Sequence, residues 1–469
     1  VLLPGSAVEA TYYSVMDMFT DVPEAWRTVL CDGHIYYRLS LPDLLDKSAS
    51  ALYYDLKWSG EDYALRCLRL FLKQAMLQAA LSARLWGSSS ATWRVSMPNA
   101  MPLAKQEAYL DMMRGLAREV SAECGLALTG GCPAVLYATE NQADGLYFLS
   151  RSEVSAGSGY LNLDIGGSTA DISLWLGGAA HAAIECSLLL GCREMLFESL
   201  CDWHSEDLER DFASGSEALR QAVGGVVSAF RREASTARGR LKCMFLLDDL
   251  LAAYAGDIRE GMAAARSLGT ITYFESLLLF QIGYLFYLSG ELMQRAHADA
   301  DLSPLLAQRM ALCVAGNGGQ LVKALTAEQL TRLCSLAMTR LSTDHPLRAL
   351  LPVQSRHPKQ EVARGLLARD DALQSAVHGG DRWNGTRPYG GPEREDLLSG
   401  YLPLFYRVFP QAAERLMPRA FEETDGVRLT PTARMELDTV FANEKPCTPE
   451  DDMAMAVRCL SQLKRLWRL

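Results

Sequence analysis

One run, from Tyr160 to Leu176 (YLNLDIGGSTADISLWL), constrains this chain more than any other: an apolar strand, a glycine hairpin with an aspartate on either side, and a second apolar strand. The small residues Gly166, Gly167, Ser168 and Thr169 let backbone N–H groups approach phosphate oxygens closely and donate to them. An acid placed directly before such a turn repels a phosphate, and a divalent cation, Mg²⁺ with retained waters, reconciles the two. Asp164 therefore reads as a ligand of a metal-bound water. A plain β-hairpin uses the same residue types for its turn alone, so both readings stand at this level.

A second glycine turn lies far downstream. Residues 310–321 (MALCVAGNGGQL) form another buried strand that enters a turn at Gly316, Asn317 and Gly318 and continues into a helix. Two such loops allow one nucleotide to be held from two sides. Together they resemble the superfamily of actins, sugar kinases and heat-shock chaperone ATPases: 164–171 resembles the second phosphate loop and 314–321 the adenosine loop.

Further segments follow in that superfamily's order. Residues 93–100 (WRVSMPNA) resemble the chaperone strand ending in Val-Pro-Ala, and a helix from about 103 to 124 follows. Residues 134–143 (AVLYATENQA) resemble the strand and first connecting helix, with Glu140 on the family's glutamate and Asn141 in place of its proline. Residues 187–194 (SLLLGCRE) resemble the Leu-Gly-Gly-Glu turn, and 357–368 (HPKQEVARGLLA) the return helix. The resemblance spans about residues 60–375 and is strongest toward the heat-shock chaperone and bacterial actin-like branch.

It implies an α/β, two-lobed actin-like ATPase fold with ribonuclease H-like mixed sheets flanked by helices. The first lobe would occupy 1–159, the second lobe 160–350 with both glycine loops, and the return helix 351–378. A linker and helical C-terminal extension would fill 379–469. Two departures bear on function. The family's first phosphate loop, an Asp-x-Gly-Thr hairpin, is not found in this sequence, and Gln320 stands where chaperones place an arginine against the adenine. The chain starts at Val1, which reads as a fragment, a processed product or one segment of a longer protein.

Composition narrows the classes. At 469 residues and 49% hydrophobic content, the chain can bury a large core and form at least two lobes. Lys and Arg number 46 against 56 Asp and Glu, so no basic surplus exists to displace phosphate counterions, and a nucleic-acid partner is not expected. Twelve cysteines occur without a Cys-x-x-Cys pair, which fits small core residues in a reducing, cytoplasmic setting. Nothing local supports Cys124, Cys132 or Cys192 as a catalytic thiol, and neither His345 nor His357 has a cysteine partner at finger spacing for zinc. The apolar stretch 273–290 carries Glu275, Ser276, Gln281 and Ser289 and lacks basic flanks, so a buried helix is expected rather than a membrane span. An exposed partner-binding face is the alternative there.

Apolar spacing predicts a helix over 61–86, stopped by Gly87-Ser88-Ser89-Ser90, and a strand-like piece at 34–39. It also predicts a long helical stretch over 191–309, interrupted near 256–269, and a turn-rich linker at 379–392.

The function the resemblance implies is Mg²⁺-dependent binding and hydrolysis of ATP, controlling a protein partner or self-association. Gly166, Gly167, Ser168 and Thr169 would donate amides to phosphate. Asp164 would hold a metal-bound water, Glu140 would orient the attacking water or the metal shell, and Asp171 would accept a proton through water. Gly316 and Gly318 would let adenosine lie against backbone, with Asn317 and Gln320 beside it. Glu233, Arg238 and Lys242 fall roughly where chaperones make adenosine contacts, and a solvated charged face explains them better. Glu140 also suits a helix N-terminus for its charge alone. From a different class, a non-hydrolysing, nucleotide-gated scaffold fits the missing first loop. A small-molecule phosphotransferase lacks an evident acceptor-activating base.

Overall fold

The computed structural model describes residues 62–97, 103–129, 135–150, 159–177 except Ser168, 182–202 except 189, 205–319 except 214, 321–355, 360–367, 397–423 and 426–442, with short or single positions elsewhere. Ser168, Gln320, Cys132 and His357 lie outside the described residues, as do the side chains of Asn317 and Arg238. The chain divides into two compact units: Val1–Trp93 with Leu103–Val135 and Arg232–Leu246, and Arg94–Pro102 with Leu136–Arg231 and Leu247–Leu469.

In the first unit, the helix Asp62–Leu85 runs where the spacing predicts and ends at Gly87, whose φ of 84° only glycine adopts without strain. It packs against the helix Leu103–Glu123. Arg69 and Lys73 both reach Glu119 at 2.6 Å, and this shared bridge holds Glu119 below the usual carboxylate range, chiefly through the Lys73 hydrogen bond. Short strands Ser90–Ala91 and Ala127–Leu128 pair in parallel, and Trp93 donates its ring N–H to Ser121 at 2.8 Å. The predicted strand at 34–39 is present as His34–Tyr37, antiparallel to Thr28–Cys31.

The second unit is α/β and is built on a mixed sheet. Helix α1 (Glu140–Leu149) precedes three strands, β1 (Tyr160–Ile165), β2 (Ala170–Trp175) and β3 (Ile184–Leu188), that form an antiparallel meander. Helices α2 (Cys192–Asp202) and α3 (Tyr273–Ala298) follow, then β4 (Arg309–Ala315), α4 (Ala327–Met338), β5 (Ala349–Gln354) and the short α5 (Glu361–Gly365). Strand β4 lies parallel to β1 on one side and to β5 on the other, giving the order β5-β4-β1-β2-β3 with Asp381–Arg382 at the outer edge.

Alternation along the strands assigns the two faces of this sheet. Leu161, Leu163 and Ile165 of β1 and Ile172 and Leu174 of β2 form an apolar face, on which α3 packs. The other face carries Tyr160 stacked on Trp175, then Asn162 opposite Ser173 and Asp164 opposite Asp171. Helix α1 covers that second face: Tyr160 donates to the Gly145 carbonyl at 2.7 Å and Asn162 to Asp144 at 2.7 Å. Helix α5 crosses α1 so closely that a Cβ on Gly365 would stand 1.6 Å from the Ala143 carbonyl oxygen.

Among the described residues, α3 is the one helix long and apolar enough to cross a membrane by length and composition, and its apolar window is entirely buried in the protein. Every residue from Tyr273 to Met293 is buried, which excludes the alternative of an exposed partner face. Its polar members are engaged inside: Glu275 Oε1 accepts from Arg266 at 2.6 Å and from Gln329 at 2.7 Å, leaving Oε2 without a hydrogen-bond partner among the described residues, and Gln281 donates to the Leu190 carbonyl. Thr272 caps the helix, and the Asp211 carboxylate takes the amides of Tyr273 and Phe274. The interruption expected near 256–269 is mostly a helix, Ala255–Ser267, and the chain breaks at Gly269 instead, with φ 73°.

The C-terminal helices α6 (Leu397–Val408) and α7 (Pro410–Leu416) belong to the core of this unit, packed on α3. Leu398, Tyr401, Leu402 and Phe405 recur at helical spacing and are all but fully buried. Tyr401 donates to the Phe280 carbonyl at 2.7 Å, and the Phe405 ring meets Phe280 edge-on at 5.1 Å. Burying each such side chain is worth about 1.5–3 kcal/mol. Residues 397–416 are therefore a structural part of the sheet-bearing unit.

Candidate functional site

Strands β1 and β4 are parallel neighbours in the register Ala315 to Asp164, so the loops that leave their carboxyl ends emerge side by side. In open α/β sheets this edge is where ligands bind. Gly316 has φ 75°, and a Cβ there would stand 2.1 Å from Asp164 Oδ1. A Cβ on Gly318 would meet the Ile165 side chain at 2.6 Å and Cys192 Cβ at 3.1 Å. Gly318 is buried, and its missing side chain is accounted for by packing of one loop on the other.

The first glycine turn is closed by Gly166, whose N–H donates to the Thr169 carbonyl at 2.8 Å. That corrects one expected role: the Gly166 amide is committed within the turn, and phosphate donors would begin at Gly167. The carbonyls of Gly166 and Gly167 accept from the amides of Cys192 and Arg193, each at 3.0 Å, which docks the start of α2 onto the turn. The Arg193 guanidinium carbon lies 3.7 Å from the place a Cβ on Gly167 would occupy. Sequence reasoning singled out the 187–194 turn as a connection and missed Arg193 as a cation over the loop.

Three of the predicted acids come together. Asp164 is half-buried at the end of β1, directly opposite Asp171 of β2. Asp171 is 3% exposed and accepts a hydrogen bond from the Ser187 hydroxyl. Burial pushes its carboxyl well above the ordinary 3.8, and the charges of Asp164, Glu140 and Glu185 push the same way, against the Ser187 bond. Glu140 occupies the first helical position of α1. Thr139 caps that helix, accepting from the Gln142 amide, while the Gln142 side chain accepts from the Thr139 amide. The cap fixes the direction in which α1 approaches the sheet.

Among the described residues, no group of three or more His, Cys, Asp or Glu side chains could hold a metal ion directly. Mg²⁺ keeps most of its waters and needs one or two carboxylates. Half-buried Asp164, beside both glycine loops and opposite a second carboxylate, fits that water-mediated mode.

Deeper on the same face lie residues the sequence reading did not single out. Asp144 of α1 and Glu361 of α5 are 0% and 2% exposed, and Asn162 of β1 is hydrogen-bonded to Asp144. The available signal was the period of two in Tyr160, Asn162 and Asp164, obscured by reading β1 as uniformly apolar.

Several other candidates take structural places. Glu233 and Lys242 pair with each other at 3.4 Å. His345 is buried, accepting from the Leu347 amide and lying 3.3 Å from the Met293 carbonyl. Burial pushes the Cys192 thiol up to about 12 and also raises Cys124, which keeps both in the unreactive thiol form.

No protein-family model matches this chain, and no curated protein matches it.

Proposed function

We propose that the edge formed by the two glycine loops binds a nucleoside triphosphate, ATP, with Mg²⁺, and hydrolyses its terminal phosphoanhydride. The observation that carries this reading is the meeting of both loops at one carboxylate: Gly316 abuts Asp164, which precedes the Gly166–Gly167 turn and faces Asp171. The mixed sheet flanked by helices supports it, since the resemblance implies that arrangement.

In this reading Asp164 would hold the cation through water, and Mg²⁺, when bound, would supply charge neutralisation for the phosphates. The amides of Gly167 and Thr169 receive phosphate oxygens. Glu140 orients the attacking water, and Asp171, when ionised, takes the proton released through water. The Gly316–Gly319 turn carries the nucleoside. Nucleotide state then governs a protein partner or self-association.

A second reading is a non-hydrolysing, nucleotide-gated scaffold. It is favoured by the internal use of loop groups, namely the Gly166 amide in the turn and the space beside Gly318 filled by Ile165 and Cys192. Calorimetric titration with ATP, with and without Mg²⁺, together with phosphate release under turnover conditions, separates the two. Binding with release supports the ATPase, and binding alone supports the scaffold. Absence of any binding overturns both.

A further inference from the structure

The first turn of helix α2 touches both glycine loops and sets a different residue against each. Cys192 Cβ lies 3.1 Å from where a Cβ on Gly318 would stand, at the loop that carries the nucleoside in the proposed site. One position further on, the Arg193 guanidinium carbon lies 3.7 Å and its Nε 3.9 Å from where a Cβ on Gly167 would stand, at the turn that would take phosphate. Backbone fixes this placement: the Cys192 and Arg193 amides donate to the Gly166 and Gly167 carbonyls, each at 3.0 Å. Beyond them α2 is anchored by Met195, Leu196, Phe197 and Leu200, all buried, so the start of the helix has little freedom to leave the turn.

We propose, on the nucleotide reading of the two loops, that Arg193 binds the phosphate chain of the nucleotide and makes the site select a triphosphate over shorter phosphates.

The charge around the turn favours such a role. Asp164, Glu140 and Glu185 all act on buried Asp171 in the same direction, so the corner where the turn opens is crowded with acids. A polyphosphate brought there is repelled by each of them, and partial burial screens that repulsion less than water would. Mg²⁺ would offset part of it, and a protein cation held at the same turn offsets more. Arginine suits the task, because its planar guanidinium presents several N–H donors in a fork that matches pairs of phosphate oxygens. The same multiplicity lets it keep a protein acceptor and take a phosphate at once. The side chain is half-buried, open enough for a ligand to reach and dry enough for its charge to count. Its own amide is spent on Gly167, so the guanidinium is what Arg193 offers an anion.

Because Cys192 faces Gly318 and Arg193 faces Gly167, the cation stands at the phosphate end of the site and away from the nucleoside loop. The effect of removing it should therefore grow with the number of phosphates. Calorimetric titration of the full chain with ATP, ADP and AMP in the presence of Mg²⁺, for the wild type, Arg193→Ala and Arg193→Gln, tests this. Loss of the charge-assisted bonds should weaken ATP by about tenfold or more in both variants, ADP less and AMP least. Equal weakening of all three ligands, or of none, overturns the role of Arg193 while the nucleotide reading stands on the wild-type binding. A wild type that binds none of the three overturns that reading and this role with it. Urea unfolding of each variant separates lost affinity from lost fold. Glutamine keeps much of the stem without the charge, so Arg193→Gln decides if the alanine variant does not fold.

Discussion

Asp164 and Asp171 stand directly opposite one another in the β1–β2 ladder, so two carboxylates project from one face of the sheet at neighbouring positions. Like charges placed opposite in a ladder are destabilising. The hairpin therefore stores a repulsion that a cation or a proton relieves.

The first prediction concerns that repulsion. The Asp171 carboxyl is raised well above the ordinary 3.8, so the folded state binds its proton more tightly and wild-type stability falls as pH rises above that value. Asp171→Asn removes the charge while its amide oxygen still accepts from Ser187. It should raise the unfolding midpoint at about pH 8 and leave it little changed near pH 4. Denaturation at the two pH values checks this, and a variant less stable than the wild type at the higher pH contradicts it.

Removing the positioning groups should separate chemistry from binding. In the proposed ATPase, Asp164→Ala and Glu140→Ala would act on the metal shell and the attacking water, so turnover of Mg-ATP should fall on the order of 10²-fold or more. Affinity should change far less. Steady-state phosphate release with parallel titration reads both quantities, and unchanged turnover in both variants removes these roles.

How much of this was legible beforehand differs by residue. The hairpin around Gly166, the strand into Gly316 and the buried helix expected over 273–290 all follow from local pattern, because turn chemistry and apolar run length are written in adjacent residues. Arg193, Asp144 and Glu361 were not legible. Each gains its place from packing between segments distant in sequence: α2 onto the glycine turn, and α1 across α5. The role of Tyr401 was hidden for the same reason, since its partner Phe280 lies 121 positions away. The Gly166 amide shows the opposite failure. Composition alone marks it as an available donor, and only the closed turn shows it engaged.

The cap on α3 should be sensitive to charge. Asp211 accepts the first amides of α3, and Arg415 of α7 reaches both Asp211 at 3.2 Å and Asp207 at 3.3 Å. Burial raises the Asp211 carboxyl to about 6, against the lowering effect of Arg415. Arg415→Ala leaves two neighbouring acids without that cation and should cost about 3 kcal/mol near pH 7.5. Because the arginine stabilises the ionised form, the cost should shrink near pH 5, where Asp211 is protonated. Urea unfolding at both pH values measures it, and an equal penalty at each argues that Arg415 contributes only packing.

Glycine substitutions can distinguish a loop built for a ligand from one built for packing. An alanine at Gly365 would place its Cβ 1.6 Å from the Ala143 carbonyl, and one at Gly316 would combine φ 75° with a 2.1 Å approach to Asp164. Both should destabilise the fold, Gly365→Ala by about 3 kcal/mol, because backbone must move. Gly167 differs. A Cβ there meets nothing closer than the Arg193 side chain at 3.7 Å, an ordinary van der Waals distance, so Gly167→Ala should unfold within a few tenths of a kcal/mol of the wild type. If the turn cradles phosphate, that same methyl group occupies the approach to its amides and should weaken Mg-ATP binding by about tenfold or more while the fold is intact. Urea unfolding and calorimetric titration of Gly167→Ala give the answer together: normal stability with weakened binding supports the cradle, and normal stability with normal binding assigns the glycine to the turn alone.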